Sequence, residues 1–165
     1  MKLSQVFQIK ILRNLNRKNI DEDHLFFSLT LIVGVLSGVL AVFLGKSIEW
    51  ISHTFKTLES PTTLSIITGG TAILISGFLI TRVSPWCSGS GIPQTKISLV
   101  VHHGNISFRQ WFDKLIISLM SLSSGIPLGI EGPTVSVTAG LGSSIARFMG
   151  LGKVRVKSML AVGAA

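Results

Sequence analysis

Twenty-one consecutive residues, Leu25 to Gly45, carry no charge and are rich in Leu, Val, Phe and Ile. At about 1.5 Å per helical residue, ~20 such residues cross a hydrocarbon core ~30 Å thick. A secretory signal would place a shorter apolar core near the start and end it at a small-residue cleavage site. Here Lys2 to Asp23 come first and the run is too long, so the segment reads as a retained membrane span. A second uncharged run, Ser60 to Thr81, opens at Pro61 and closes at Arg82 and Pro85, and the two together predict a hairpin of crossings. Composition agrees: 13% of the residues are charged, against about 25% in an ordinary soluble domain, so much of the surface must face lipid.

The charge that remains is lopsided, with 15 Lys+Arg against 7 Asp+Glu and a net charge of +8. The basic residues lack interleaved aromatics and are separated by long uncharged stretches, which argues against nucleic acid as a partner. Lys2, Lys10, Arg13, Arg17 and Lys18 precede the first run and Arg82 and Lys96 follow the second, while Lys46, Glu49, Lys56 and Glu59 balance between them. The positive-inside rule therefore places the N-terminus and the Arg82 end in the cytoplasm. Leu3, Val6, Phe7, Ile11, Leu12 and Leu15 recur at helical spacing among those basic residues, so residues 1–23 read as an amphipathic cytoplasmic segment and 24–165 as the membrane domain. The predicted class is all-α and polytopic, with full-length spans beside short, broken or tilted helices. Met159 to Ala165 read as the start of a further small-residue helix, so the chain is expected to be incomplete.

The breaks are the informative part. Residues 115–146 hold one charge, Glu131, yet Gly125, Pro127, Gly129, Gly132 and Pro133 interrupt their middle. No straight helix survives those breakers, and the pieces on either side, about 10 and about 13 residues, fall short of the ~20 needed to cross. Interrupted spans are tolerated where their free backbone groups are buried in protein or line a watery cavity, which in transporters is where the ligand binds.

Two corners share one design: Gly89-Ser90-Gly91-Ile92-Pro93 and Gly129-Ile130-Glu131-Gly132-Pro133. Glycines permit a tight turn and leave backbone N–H groups uncovered, and a proline in the first helical turn costs no hydrogen bond. Each corner should start a helix, and the free N–H groups and positive dipole end then suit an anion. The Ser90 hydroxyl adds a donor. The first corner also fits a plain loop. A carboxylate at Glu131 near mid-bilayer costs on the order of 2.5–3.5 kcal/mol, so it reads as functional, with an N-terminal capping acid as the alternative. After Pro133, the alternation Thr134 to Thr138 imitates a strand. Ser136, Gly140 and Ser144 recur every four residues, however, and with Gly132 and Ala139 they predict a helix that neighbours approach closely.

Other residues predict less. His102 and His103 are adjacent with no third ligand, so no metal site is expected. Cys87 has no base near it in sequence and reads as an inert packing thiol. Trp50, Trp86 and Trp111 sit near span ends, as interfacial anchors do. Phosphate-loop, zinc-protease and serine-hydrolase signatures are missing, and no enzyme is expected.

Gly89-Ser90-Gly91-Ile92-Pro93 and Gly129-Ile130-Glu131-Gly132-Pro133-Thr134-Val135 resemble, in order and at a separation of about 40 residues, two signature segments of the CLC family of chloride channels and proton-coupled chloride antiporters. The resemblance implies a homodimer in a lipid bilayer, each subunit with its own anion pathway built from two inverted halves. It implies that the Ser90 hydroxyl coordinates a central chloride, that the backbone of Gly89, Gly91, Ile92, Gly129, Ile130 and Gly132 lines the anion sites, and that Glu131 is the gate, accepting the proton if the protein is an antiporter. Chloride is then the transported ligand, with protons its partner in an antiporter, and neither cofactor nor metal is implied. Ile130 departs from the pattern, since many members carry Arg or Lys there, and with that charge goes some attraction for anions at the outer site. The rivals are a non-transporting helical membrane module whose glycines serve only packing, and a soluble phosphate-binding enzyme, which the two long uncharged runs contradict.

Overall fold

The computed structural model of the protein describes residues 22–58, 62–124 and 129–165. Among these residues there are helices and loops and no strand: α1 (Glu22–Leu58), α2 (Thr62–Arg82), a 3-10 turn (Pro85–Cys87), α3 (Ile92–Val100), α4 (Phe108–Ser123), α5 (Glu131–Phe148) and α6 (Lys153–Ala164). The expected amphipathic segment before residue 22 lies outside the described residues.

α1 is apolar nearly all round, which suits lipid on one side and protein on the other. Val33, Ser37 and Leu44 are buried on its inner stripe, while Leu31, Val35, Val39 and Val42 are exposed on the outer one. Its stretch Phe26–Thr54, 29 residues, is long and apolar enough to cross a membrane; in α2 the corresponding described stretch is Ile67–Arg82, which is shorter. Of the two expected crossings, α1 alone reaches that length among the described residues. α1 packs on α4, α5 and α6, whereas α2 leans on α4 and the 3-10 turn, with Gly69 against the Ser124 carbonyl.

α5 is the centre of the bundle, and its small residues explain why. Gly140 leaves the space that the Trp111 side chain of α4 fills; a Cβ there would collide with it. Gly142 lies against the Met159 carbonyl of α6, and Gly163 of α6 lies against the Thr138 carbonyl of α5. Backbones approach this closely only where side chains are nearly absent. Val137, Ala139, Leu44, Ile106, Trp111 and Leu160 close one core cluster, and Val33, Ala146, Val156 and Met159 another. The Thr134 to Thr138 alternation is helical, as expected, with Val137 and Thr138 both buried in the packing of α5.

Two expectations are corrected. The helices flanking the break run 16 and 18 residues, longer than the apolar counts, because α4 continues through Lys114 and α5 through Arg147. A buried lysine and a partly buried arginine extend a helix whenever carbonyls meet their donors, and both find them. Trp111 is no interfacial anchor. It is 8% exposed, and its indole N–H donates to Ser144 Oγ at 3.0 Å, whereas Trp50 is 73% exposed.

The loop between α3 and α4 is pinned from α5. Ser143 Oγ donates to Gly104 O at 2.6 Å and accepts from the Ile106 N–H at 3.0 Å, and Arg147 donates to the Ile106 carbonyl. His102 and His103 are exposed in this loop, with His103 in the left-handed region at φ 54. Pinning the loop fixes where α3 ends and α4 begins.

Candidate functional site

Both corners open helices. Gly91 caps α3 at φ 101 and Gly89 turns at φ 76, conformations that side chains rarely adopt, which is the physical reason for glycine at both places. The Gly91 N–H donates to Gln94 Oε1 at 3.1 Å, and the Gln94 amide donates back to the Ser88 carbonyl. The first intrahelical bond of α3 runs from Thr95 N to Gly91 O at 3.0 Å, so the Ile92 N–H lies ahead of the ladder and Pro93 has none to lose. At the second corner Ile130 occupies the cap position and Glu131 and Gly132 open α5. Thr134 N makes the first bond, to Ile130 O at 3.1 Å, which leaves the amides of Glu131 and Gly132 ahead of it.

The fold brings the two corners together. Gly132 lies directly against the Ser90 carbonyl, and a Cβ on Gly132 would stand 3.1 Å from Ser90 Cβ. From the other side, a Cβ on Gly91 would meet Ser136 Cβ at 2.7 Å and the Gly132 carbonyl at 2.9 Å. Residues about 40 apart in sequence thus meet backbone to backbone, and the N-termini of α3 and α5 converge on one place. Two helix ends reinforce each other's partial positive charge there.

Individual residues fall into place around that junction. Ser90 is exposed, as are Gly89 and Ile92, while Gly91 and Gly132 are buried in the contact. Gly129 and Ile130 are exposed at the approach to α5, with open space around Gly129. The Glu131 side chain is exposed in the first turn of α5, and no side chain caps that helix, so Glu131 is not its cap. Cys87 is 2% exposed, its Sγ 3.9 Å from Gln110 O, in keeping with a packing thiol.

Four side chains at the site escape a motif reading. Gln94, at the third position of α3, could have been found from its place three residues after the cap, where a glutamine reaches back to a free amide. Lys114 is 6% exposed, and its ammonium donates to Cys87 O at 2.7 Å and to Gly89 O at 2.5 Å. Ser84 and Asp113 pair at 2.6 Å. Lys114 had a signal, a lone cation bounding an apolar run; the Ser84–Asp113 pair had none. Beside the first corner, Gly91, Gln94, Thr95, Gln110, Lys114 and Ser136 line part of an open groove of about 400 Å³.

A family model described as voltage gated chloride channel matches residues 72–165, more than half of the chain and all of the junction. Chloride channel protein CLC-d of Arabidopsis thaliana is 31% identical over 138 residues, 77% of this chain and 17% of that protein. Chloride channel protein 1 of Rattus norvegicus and of Mus musculus are each 28% identical over 142 residues, 82% of this chain and 14% of theirs. The chain thus spans about a sixth of the length of these curated relatives, which are named as channels and not as enzymes. On the extent of the family match, this chain belongs to the voltage gated chloride channel family, a family of membrane proteins.

Proposed function

We propose that this chain supplies part of a chloride pathway, with the anion held where α3 and α5 begin and Glu131 as its gate. The observation that carries the reading is the contact between the corners, Gly132 on the Ser90 carbonyl and Gly91 on Ser136, which points two helix N-termini at one place. Uncovered amides and the Ser90 hydroxyl offer donors there, and a chloride has no donor of its own to compete. α1, α2 and the interrupted pair α4 and α5 form a polytopic membrane domain with the N-terminus in the cytoplasm, working as a homodimer. No cofactor takes part; chloride is cargo.

Glu131 supports the gate because an ionised carboxylate in the first turn of α5 is itself an anion suited to the same helix end. Protonation removes that charge and frees the place for chloride. In the full reading frame that contains this chain, reconstituted in liposomes, Glu131→Gln keeps the size and loses the charge. Chloride flux should persist and lose most of its dependence on pH. Proton movement that accompanies chloride in the parent and stops in the variant assigns exchange; chloride flux without protons assigns passive conduction. A parent-like pH profile in the variant would reduce Glu131 to a helix-end acid and remove the gate from this segment.

A further inference from the structure

One face of α4 holds the turn that leads into the first corner. Arg109, Gln110, Asp113 and Lys114 stand at i, i+1, i+4 and i+5, a spacing that places them together on a helix. Asp113 Oδ2 accepts from Ser84 Oγ at 2.6 Å and lies 3.6 Å from Arg109 Nε, and the Arg109 guanidinium sits 5.4 Å from the centre of the Trp86 ring. Gln110 O meets the Cys87 thiol, and Lys114 takes the carbonyls of Cys87 and Gly89. Residues 84–89 therefore lie on α4, with Ser84 tied at one end and Gly89 at the other.

The lysine end bears on an anion through the peptide plane. Every peptide bond among the described residues is trans, and a trans unit points its C=O and N–H in opposite directions. A Gly89 carbonyl turned to Lys114 turns the Ser90 N–H away from it. The peptide between Gly89 and Ser90 needs this restraint, because glycines at φ 76 and φ 101 flank Ser90 and a plane beside glycine rotates at little steric cost. Were it to rotate, a carbonyl oxygen would take the place of an amide donor, and an anion would meet a negative dipole end.

We infer that Lys114 is a positioning residue for anion binding: it holds the Gly89 and Cys87 carbonyls aside so that the Ser90 amide and hydroxyl are presented as donors, while the Ser84–Asp113 pair anchors the far end of the same turn. The inference rests on the proposed anion site at the corners. It differs from a general attraction by a buried cation, because a misplaced set of donors discriminates poorly among anions whereas a missing charge weakens them all alike.

The test measures binding of chloride, bromide and nitrate by calorimetry to the purified full-reading-frame protein and to Lys114→Met, Lys114→Arg, Ser84→Ala and Ser90→Ala. Lys114→Met should weaken chloride binding by about tenfold, the scale of a lost charge-assisted hydrogen bond, and lower the chloride to nitrate preference. Lys114→Arg, which still donates to two carbonyls, should recover part of that preference. Should Lys114→Met fail to fold, Ser84→Ala, which removes one hydroxyl, should still lower the preference by a smaller factor. Equal losses for all three anions, or an unchanged preference in both Lys114→Met and Ser84→Ala while Ser90→Ala weakens chloride, would overturn the positioning role and leave the anion site standing. If Ser90→Ala also changes nothing, the anion site itself is wrong.

Discussion

Ser90 stands between two glycines held at positive φ, so its place is set by backbone that few other residues could adopt. Its carbonyl lies against Gly132, and its hydroxyl and amide are the donors it can offer an anion. Replacing Ser90 with Ala should therefore weaken chloride binding by about 0.5–1.5 kcal/mol, one hydrogen bond, and somewhat more because the acceptor is charged. Titration calorimetry on the full-reading-frame protein reads this directly, and an unchanged affinity would mean that the hydroxyl points elsewhere. Residues of this kind were legible in the sequence, since glycine, serine and a lone carboxylate beside proline announce a turn, a donor and a costly charge. The roles of Lys114 and Asp113 were not, because they depend on which turn α4 meets, and spacing along one helix does not say what lies across from it.

At the scale of elements, the stripe Ser136, Gly140 and Ser144 was legible and its partners were not. Its members meet two neighbours: Ser136 meets Gly91, whereas Gly140 and Ser144 share Trp111, Gly140 lying against its ring and Ser144 accepting its indole N–H. A methyl group at 140 has no room, so Gly140→Ala should destabilise the protein by about 1–3 kcal/mol, the usual cost of overpacking. Gly34→Ala on α1 is the control, since nothing stands within 4 Å of a Cβ there and alanine favours helix. Unfolding of both variants in detergent should show a clear loss for the first and none for the second; equal shifts would contradict the packing account. The break between α4 and α5 was read from Gly125 to Pro133, whereas the helix lengths on either side were underestimated. Counting apolar residues stops at a charge, and a helix does not stop where backbone carbonyls satisfy that charge.

For the molecule as a whole, the all-helical class and the family were open to sequence reading because both depend on local signals, uncharged runs and two short motifs. The meeting of the corners was not, because contact between residues about 40 apart is decided by how α4 and α5 pack. That meeting is also what joins the fold to the proposed function: small residues along α5 draw α3, α4 and α6 inward, α4 holds the turn before the first corner, and two helix ends come to face one place. Its most direct test is diffraction from crystals of the full-reading-frame protein grown in bromide, whose anomalous signal marks the anion. The account predicts a bromide peak within hydrogen-bonding distance of the Ser90 hydroxyl and beside the first amides of α5, stronger in Glu131→Gln than in the parent. Bromide peaks elsewhere in the protein with none at the junction of the two corners would contradict it.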